Sequence, residues 1–283
     1  MGVCIKFASL YYGSGEIVMY RGVVGAVMIG ALSRWRGESL RTTVPWRHAS
    51  RSATGVAALT LWFQSIAVLP LATAVTMNYT SSLWLAAILM SSALWMSGQR
   101  VERQLLWAVV VGFVGVVLVL RPTIGLHALW YGVLGLVSGL LSALSYLQVA
   151  ALGRAGEPET RIVFYFSIAG VMGGAAMSAA GKWGALEWPG LGWLLAVGVL
   201  STVAQLMLTR AYAQGAALVT ASLQYLGIAF SFIYGVVLFG DEVSWQALLG
   251  ILLMVGAGIR ATQLRQAHQA TRNTPLAHTQ KEV

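Results

Sequence analysis

The sequence predicts an all-α integral membrane protein with ten transmembrane segments, the first of them short. Of its 283 residues 58% are hydrophobic and 10% are charged, whereas roughly a quarter of the residues in a soluble domain are charged. The charged residues are clustered and leave apolar stretches of about twenty residues, enough helix to cross the roughly 30 Å hydrocarbon core of a bilayer. Glycine, with 32 residues, exceeds its usual share, and small residues allow transmembrane helices to pack closely.

The bounds of the segments follow from the apolar runs between charges and turn residues. They are 1–12, 16–33, 53–69, 72–96, 104–120, 128–150, 162–180, 191–209, 217–239 and 244–264. All six prolines lie at segment boundaries or in the tail, where a missing N–H group disturbs no helix interior. The polar tail 265–283 has the composition of a disordered segment.

The first segment, 1–12, is shorter than the others. A helix of about twelve residues rises about 18 Å, which is less than the thickness of the hydrocarbon core. We therefore expect the first helix to be truncated, with Met1 inside it. A cleaved signal peptide is not expected, because no basic n-region or small-residue cleavage site precedes the second segment.

The basic residues lie mainly in alternate connections. Most of the 18 Lys and Arg residues fall after the second, fourth, sixth and eighth segments or in the C-terminal part of the chain, and Arg51 is counted with the first of these groups. The positive-inside rule places these connections and the C-terminus in the cytoplasm of a bacterium, with the chain in its inner membrane. The net charge of +9 is thus a topology signal, and we expect no nucleic-acid partner.

An internal repeat divides the chain. Residues 16–21 align with 161–166, 74–76 with 218–220 and 98–101 with 240–243, in the same order and with a nearly constant offset. Five segments in each half give the halves opposite orientations in the membrane, an arrangement found in many secondary transporters. The predicted organisation is a first repeat at 1–122, a second repeat at 123–264 and the cytoplasmic tail 265–283.

Five short motifs carry a resemblance to a known family: 2–8, 16–22, 69–75, 112–122 and 239–242. In this order and spacing they resemble the drug/metabolite transporter superfamily, specifically the EamA-type proteins with two five-helix repeats. The resemblance covers about residues 1–262 and implies ten helices around a central cavity and alternating access without ATP hydrolysis. The family includes exporters of amino acids, metallophores and drugs and importers of vitamins or nucleotide-like metabolites. Gly98-Gln99 departs from the Gly-Glu pair that is common there.

Arg21 is the sharpest candidate for a functional residue. It lies inside the second segment, and a charge within the membrane is costly enough to indicate a function. We expect it to bind a carboxylate of the substrate. The alternatives are that it snorkels towards the membrane surface or pairs with Glu16.

Polar residues recur at equivalent depths of the fourth and ninth segments. Asn78, Tyr79, Gln224 and Tyr225 are the candidates for lining a site near the midplane, although interhelical hydrogen bonds use the same residue types. Trp62, Gln148 and Tyr165 are weaker candidates, the two aromatic residues for stacking on a planar substrate.

These features predict a secondary-active transporter that exports a small polar or zwitterionic metabolite, such as an amino acid or an opine-type metallophore. Uptake of a riboflavin-like or purine-like metabolite is the alternative, and a non-transporting membrane subunit is a remote one. No histidine and no clear acid lies at membrane depth, so no enzymatic activity is expected. The lone Cys4 and the histidines, which fall in predicted loops or the tail, predict no metal or cofactor. The expected partners are the substrate and the bilayer; a homodimer is left open.

Overall fold

The computed structural model describes residues 1–85, 87, 88, 91, 103–120, 126–179, 187–213, 217–242 and 244–273. Ten helices are numbered here along this part of the chain. They are α1 (Gly2–Ala8), α2 (Ser14–Arg36), α3 (Pro45–Val68), α4 (Leu71–Tyr79), α5 (Arg103–Leu120), α6 (Leu126–Arg154), α7 (Glu159–Ala179), α8 (Trp188–Ala213), α9 (Ala217–Phe239) and α10 (Trp245–Asn273).

Most predicted segments coincide with one helix each, and the differences have local causes. Helix α3 begins at Pro45, ahead of the predicted start at 53, because proline suits the first helical position. The residues that follow Pro45 are mostly polar, so hydropathy did not assign them to the membrane segment. Helix α4 ends at Tyr79, and after Thr80 residues 81–85 form a further helical run. The rest of the predicted fourth segment lies largely outside the described residues.

The C-terminal part of the chain differs from the expected disordered tail. Helix α10 continues to Asn273, well beyond the predicted end of the tenth segment at 264. The residues in question are rich in Ala, Gln and Arg, which have high helix propensity even where they are polar.

The surface of the bundle is apolar. Four helices of the described part are long and apolar enough to cross a membrane: 14–36, 128–154, 159–179 and 188–213. Large apolar side chains on different helices are exposed, including Val27 at 67%, Met172 at 69% and Val237 at 72%. Such exposure is unfavourable in water but not in lipid. The chain is therefore a membrane protein with several spans.

Helices α2 and α7 pack at backbone distance. A Cβ atom added at Gly22 would lie 2.7 Å from the carbonyl oxygen of Ser167 and 2.7 Å from the nitrogen of Val171. Gly25 and Gly174 make similarly close approaches along the same interface. Small residues thus bring α2, which carries Arg21, directly against α7.

Helix α4 is positioned by glycines of α6. A Cβ atom at Gly139 would lie 2.9 Å from the carbonyl oxygen of Met77 and 3.1 Å from that of Asn78. Glycine at this position allows the two backbones to approach, and the end of α4 consequently lies in the interior of the bundle.

Candidate functional site

A cavity of about 190 Å³ lies inside the bundle. Its wall includes residues of α2, α3, α4, α6, α7 and α8, so it lies between the two predicted repeats. The polar and aromatic residues of the wall are Arg21, Arg51, Trp62, Asn78, Tyr79, Ser142, Ser145, Tyr146, Phe166, Ser201 and Gln205.

Two arginines contribute the positive charge of the cavity. Arg21 of α2 is 5% exposed and Arg51 of α3 is 2% exposed. Their guanidinium carbons lie 4.9 Å and 3.8 Å from the centroid of the Phe166 ring, distances typical of cation–π contacts. The two charges therefore share one aromatic neighbour on α7.

Neither arginine is neutralised within the described part of the chain. No ion pair joins Arg21 or Arg51 to any of the residues described, and the Glu16 carboxylate accepts a hydrogen bond from the Gly13 N–H group at 2.8 Å. Nε of Arg21 and both Nε and Nη1 of Arg51 are buried without a hydrogen-bond partner there. Arg21 therefore faces a cavity and does not pair with Glu16.

Asn78 and Tyr79 form the wall at the end of α4. The Asn78 amide nitrogen donates to Ser138 Oγ at 2.9 Å and to Ser142 Oγ at 3.3 Å, both on α6. These bonds fix the side chain against α6. Asn78 thus both lines the cavity and forms interhelical hydrogen bonds, the two roles that the sequence left open.

Aromatic rings form much of the remaining wall. Trp62 is 9% exposed, and its Nε1–H group has no hydrogen-bond partner among the described residues. Tyr146 stacks on Tyr212 with ring centroids 4.6 Å apart and an interplanar angle of 11°. The cavity therefore combines unused hydrogen-bond donors with flat apolar surfaces.

The other sequence candidates lie elsewhere. The Gln148 side chain accepts from Thr54 at 2.7 Å and donates to Ser50 at 3.0 Å, outside the cavity wall. The Tyr165 hydroxyl donates to the Leu40 carbonyl oxygen at 3.1 Å, also outside it. Gln224 and Tyr225 belong to helix α9, and their side chains lie outside the described part.

A polar cluster lies at one end of the bundle, named here the basic end, which holds the α2–α3 and α6–α7 connections. At its centre is Glu157, whose carboxylate accepts from Thr42 Oγ1 at 2.8 Å, lies 3.1 Å from His48 Nε2 and binds Arg161 Nη1 at 2.9 Å. Burial by itself would raise the pKa of Glu157, but the hydrogen bonds from Arg161, Thr42 and His48 outweigh it and hold this pKa below its ordinary value.

A second cluster lies at the other end of the bundle, named here the opposite end. Lys6 Nζ lies 3.2 Å from Asp241 Oδ1 and 3.3 Å from the Leu69 carbonyl oxygen. Asp241 Oδ2 also accepts from the N–H group of Leu71 at 2.7 Å, which caps the start of α4. Lys6 thus forms an ion pair with the chain segment after α9.

Arg51 and His48 are the residues that the sequence placed incorrectly. Both were assigned to a connection, and both are buried in α3, with His48 1% exposed. A signal for Arg51 exists: positions 51, 55, 58 and 62 all line the cavity and recur at the spacing of one helix face. The positive-inside rule does not detect this spacing, because it counts every arginine near a segment end in the same way.

Comparison with known proteins gives relatives that are named transporters. The pseudopaline exporter of Pseudomonas aeruginosa is 28% identical over 271 residues, covering 94% of this chain and 92% of that protein. The riboflavin transporter of Rhizobium johnstonii is 28% identical over 222 residues, covering 78% and 71%. An uncharacterized transporter of Helicobacter pylori is 23% identical over 272 residues, covering 92% and 88%. No family model matches the chain.

The fold has a counterpart among solved structures. A crystal structure of a protein matches with a TM-score of 0.66 at 16% sequence identity, covering 93% of this chain and 92% of that one. At this identity the likeness concerns the fold alone. The relatives and the apolar helices support a membrane transport protein.

Proposed function

We propose that this chain is a secondary-active transporter of the drug/metabolite transporter type, which exports a small polar or zwitterionic metabolite by alternating access. An amino acid or an opine-type metallophore is the substrate class expected. The observation that carries the proposal is the interior cavity with two unneutralised arginines, Arg21 and Arg51. A buried cation without a partner is costly, and a substrate that binds there would compensate this cost.

The position of the cavity supports alternating access. Its wall combines α2, α3 and α4 with α6, α7 and α8, and the two sets belong to the proposed repeats 1–122 and 123–264. A site between inverted repeats is exposed to each side in turn when the repeats rock against each other. The Glu157 cluster and the Lys6–Asp241 pair each join segments of both proposed repeats, as closures at the two ends would.

The orientation belongs to the same proposal. The basic end faces the cytoplasm of a bacterium and the C-terminus lies on that side, because its arginines follow the positive-inside rule. Arg21, Trp62, Asn78 and Tyr79 contact the substrate from the first repeat. Gln224 and Tyr225 of the second repeat are proposed to do so as well, while Gln148 and Tyr165 lie outside the cavity wall.

Uptake of a vitamin-like or nucleoside-like metabolite is the second candidate. The observation that favours it is the aromatic part of the wall, in which Trp62, Tyr146 and Phe166 offer flat surfaces for a planar ring system. The name of the Rhizobium johnstonii relative, a riboflavin transporter, agrees with this alternative.

Comparative metabolomics separates the two candidates. We expect deletion of the gene to raise the level of one polar metabolite in cells and to lower it in the medium. The purified chain in liposomes should then move that metabolite, and Arg21→Gln should abolish the movement while Arg47→Gln, at an exposed position, should not. Depletion inside the deletion cells would indicate uptake. Failure of the purified chain to move any compound identified in this way contradicts both candidates.

A further inference from the structure

We infer that the substrate carries two separate anionic groups, one for each cavity arginine. The inference rests on the proposed transport function and names the charge class of its substrate. A zwitterion with one carboxylate would satisfy a single guanidinium, whereas the cavity holds two, Arg21 and Arg51.

The two arginines need two counter-charges. Both are buried, and both lie over the ring of Phe166. An aromatic ring attracts a cation but has no net charge, so it cannot cancel the repulsion between two guanidinium groups that share it. One bound anion leaves the second cation uncompensated in a low-dielectric interior. Two anionic groups remove both costs.

The described part of the chain supplies no such counter-charge. None of the described carboxylates lines the cavity. Glu157 is bound to Arg161 at the basic end, and Asp241 is bound to Lys6 at the opposite end. Glu157 and Asp241 are thus bound to other basic residues at the two ends of the bundle and do not neutralise the cavity arginines.

The unused hydrogen-bond donors of the wall point to the same ligand. The Trp62 Nε1–H group is a donor without a partner among the residues described. Nε of Arg21 and Nε and Nη1 of Arg51 are further unused donors, and arginine pairs with carboxylate or phosphate oxygens through two parallel N–H bonds. The cavity is therefore rich in donors, which is the complement of an anion with many acceptor oxygens.

Ligand-dependent thermal stabilisation of the purified full-length chain tests the inference. The probes are succinate, glutarate and adipate as dianions, butyrate and alanine as molecules with one carboxylate, and glycerol phosphate as a compact phosphate. We expect half-maximal stabilisation at a concentration roughly ten- to a hundredfold lower for the best dicarboxylate than for butyrate, as a second charge-assisted contact would give. A response to glycerol phosphate alone would overturn the inference of two separate groups, because a single phosphate would then satisfy both arginines.

Variants separate recognition of the second anion from a structural role of the arginine. Arg51→Gln should remove the advantage of the dicarboxylate over butyrate while weak binding of butyrate remains through Arg21. A purely structural role would weaken both ligands equally, which overturns the inference. Arg51→Lys retains the charge and should keep part of the preference for the dicarboxylate over butyrate, so it provides a test even if Arg51→Gln does not fold. Arg47→Gln on the same helix is the control and should keep the whole preference.

The outcomes also separate this inference from the proposed function. A wild-type chain that transports a zwitterionic amino acid in liposomes but shows no preference for any dianion overturns the charge class and leaves transport intact. A chain that binds dicarboxylates tightly but transports none of them, nor any other candidate metabolite, overturns the transport function and retains the site.

Discussion

Gly55 shows how a single residue shapes the cavity. A Cβ atom at this position of α3 would lie 2.9 Å from Cε2 of Phe166 and 3.1 Å from Nη1 of Arg51. Both distances are shorter than ordinary van der Waals contacts, and both neighbours belong to the candidate site. The absence of a side chain therefore permits the guanidinium of Arg51 to lie against the Phe166 ring.

Gly55→Ala is expected to impair transport without unfolding the protein. The methyl group displaces the Arg51 guanidinium and the Phe166 ring, whereas alanine in a helix interior gains about 1 kcal/mol over glycine. We expect transport in liposomes to fall by about tenfold or more while the melting temperature stays within a few degrees. Gly192→Ala is the matched control, because a Cβ atom there meets nothing within 4 Å. Equal activity of the two variants would contradict the proposed position of the substrate.

At the scale of helices, the site depends on the contact between α2 and α7. Gly22 lies one residue after Arg21, and Ser167 lies one residue after Phe166. The close backbone approach of Gly22 to Ser167 therefore brings the Arg21 guanidinium to the Phe166 ring. An increase in the distance between the helices would move the charge and the ring apart.

Gly22→Val is expected to destabilise this helix pair. Its side chain would meet backbone atoms of α7, which cannot rotate away, and overpacking of this kind costs about 1–3 kcal/mol. We expect a lower melting temperature in detergent together with weaker substrate binding. Gly30→Ala on the same helix serves as the control, since its Cβ atom would lie 3.8 Å from the Phe164 ring, an ordinary contact. An unchanged melting temperature for Gly22→Val would show that α2 and α7 are not packed at backbone distance.

The connections at the basic end form the second structural unit on which the site depends, and Glu157 controls its pH response. The pKa of this carboxyl is lowered from 4.5 in spite of burial, so it remains ionised at neutral pH. A group with a lowered pKa in the folded state stabilises that state above its unfolded pKa and loses this effect as the pH falls through the folded value. The cluster is therefore intact at pH 7 and weakens only in acid, below about pH 4.5.

Glu157→Gln should reproduce the acid state at pH 7. The uncharged amide loses the ion pair with Arg161, so we expect the basic end to open more often. A cysteine that replaces Ser145 in the cavity wall, with Cys4 changed to alanine, reports this opening as a severalfold faster reaction with a water-soluble maleimide. Glu159→Gln removes a nearby acid with no described ion pair and should leave the rate unchanged. A faster reaction for both variants would indicate general loosening.

For the whole molecule, hydropathy was enough to predict where most helices lie in the sequence, but not which side chains face the interior of the bundle. Segment 217–239 coincides with α9, because the apolar length of a span is set by the bilayer. The burial of Arg51 could not be derived in the same way, since it depends on Gly55 and on Phe166, which is distant in the sequence. Arg21 was predicted to face a site because it interrupts an apolar run. The inverted repeat and the roles of Gln224 and Tyr225 stay predictions.

The two ends of the molecule provide the last prediction, because a transporter that works by alternating access must open one end at a time. Cysteine pairs that replace Thr42 and Glu157, or Lys6 and Asp241, place reactive groups at the two closures. A short bifunctional maleimide should then stop transport in either double variant.

Each locked form should keep the cavity accessible from the end that is not cross-linked. A Ser145→Cys reporter would react with the same reagent and cannot be used here. Access is instead followed in detergent as the increase in melting temperature that substrate binding causes. We expect both locked forms to retain this increase. Single-cysteine variants serve as controls, because treatment with the reagent should leave their own transport rates unchanged. Continued transport by a protein cross-linked at the Lys6–Asp241 end would mean that this pair does not separate in the cycle. The opposite end would then have to open at another place, and the role proposed for this pair in alternating access would be wrong.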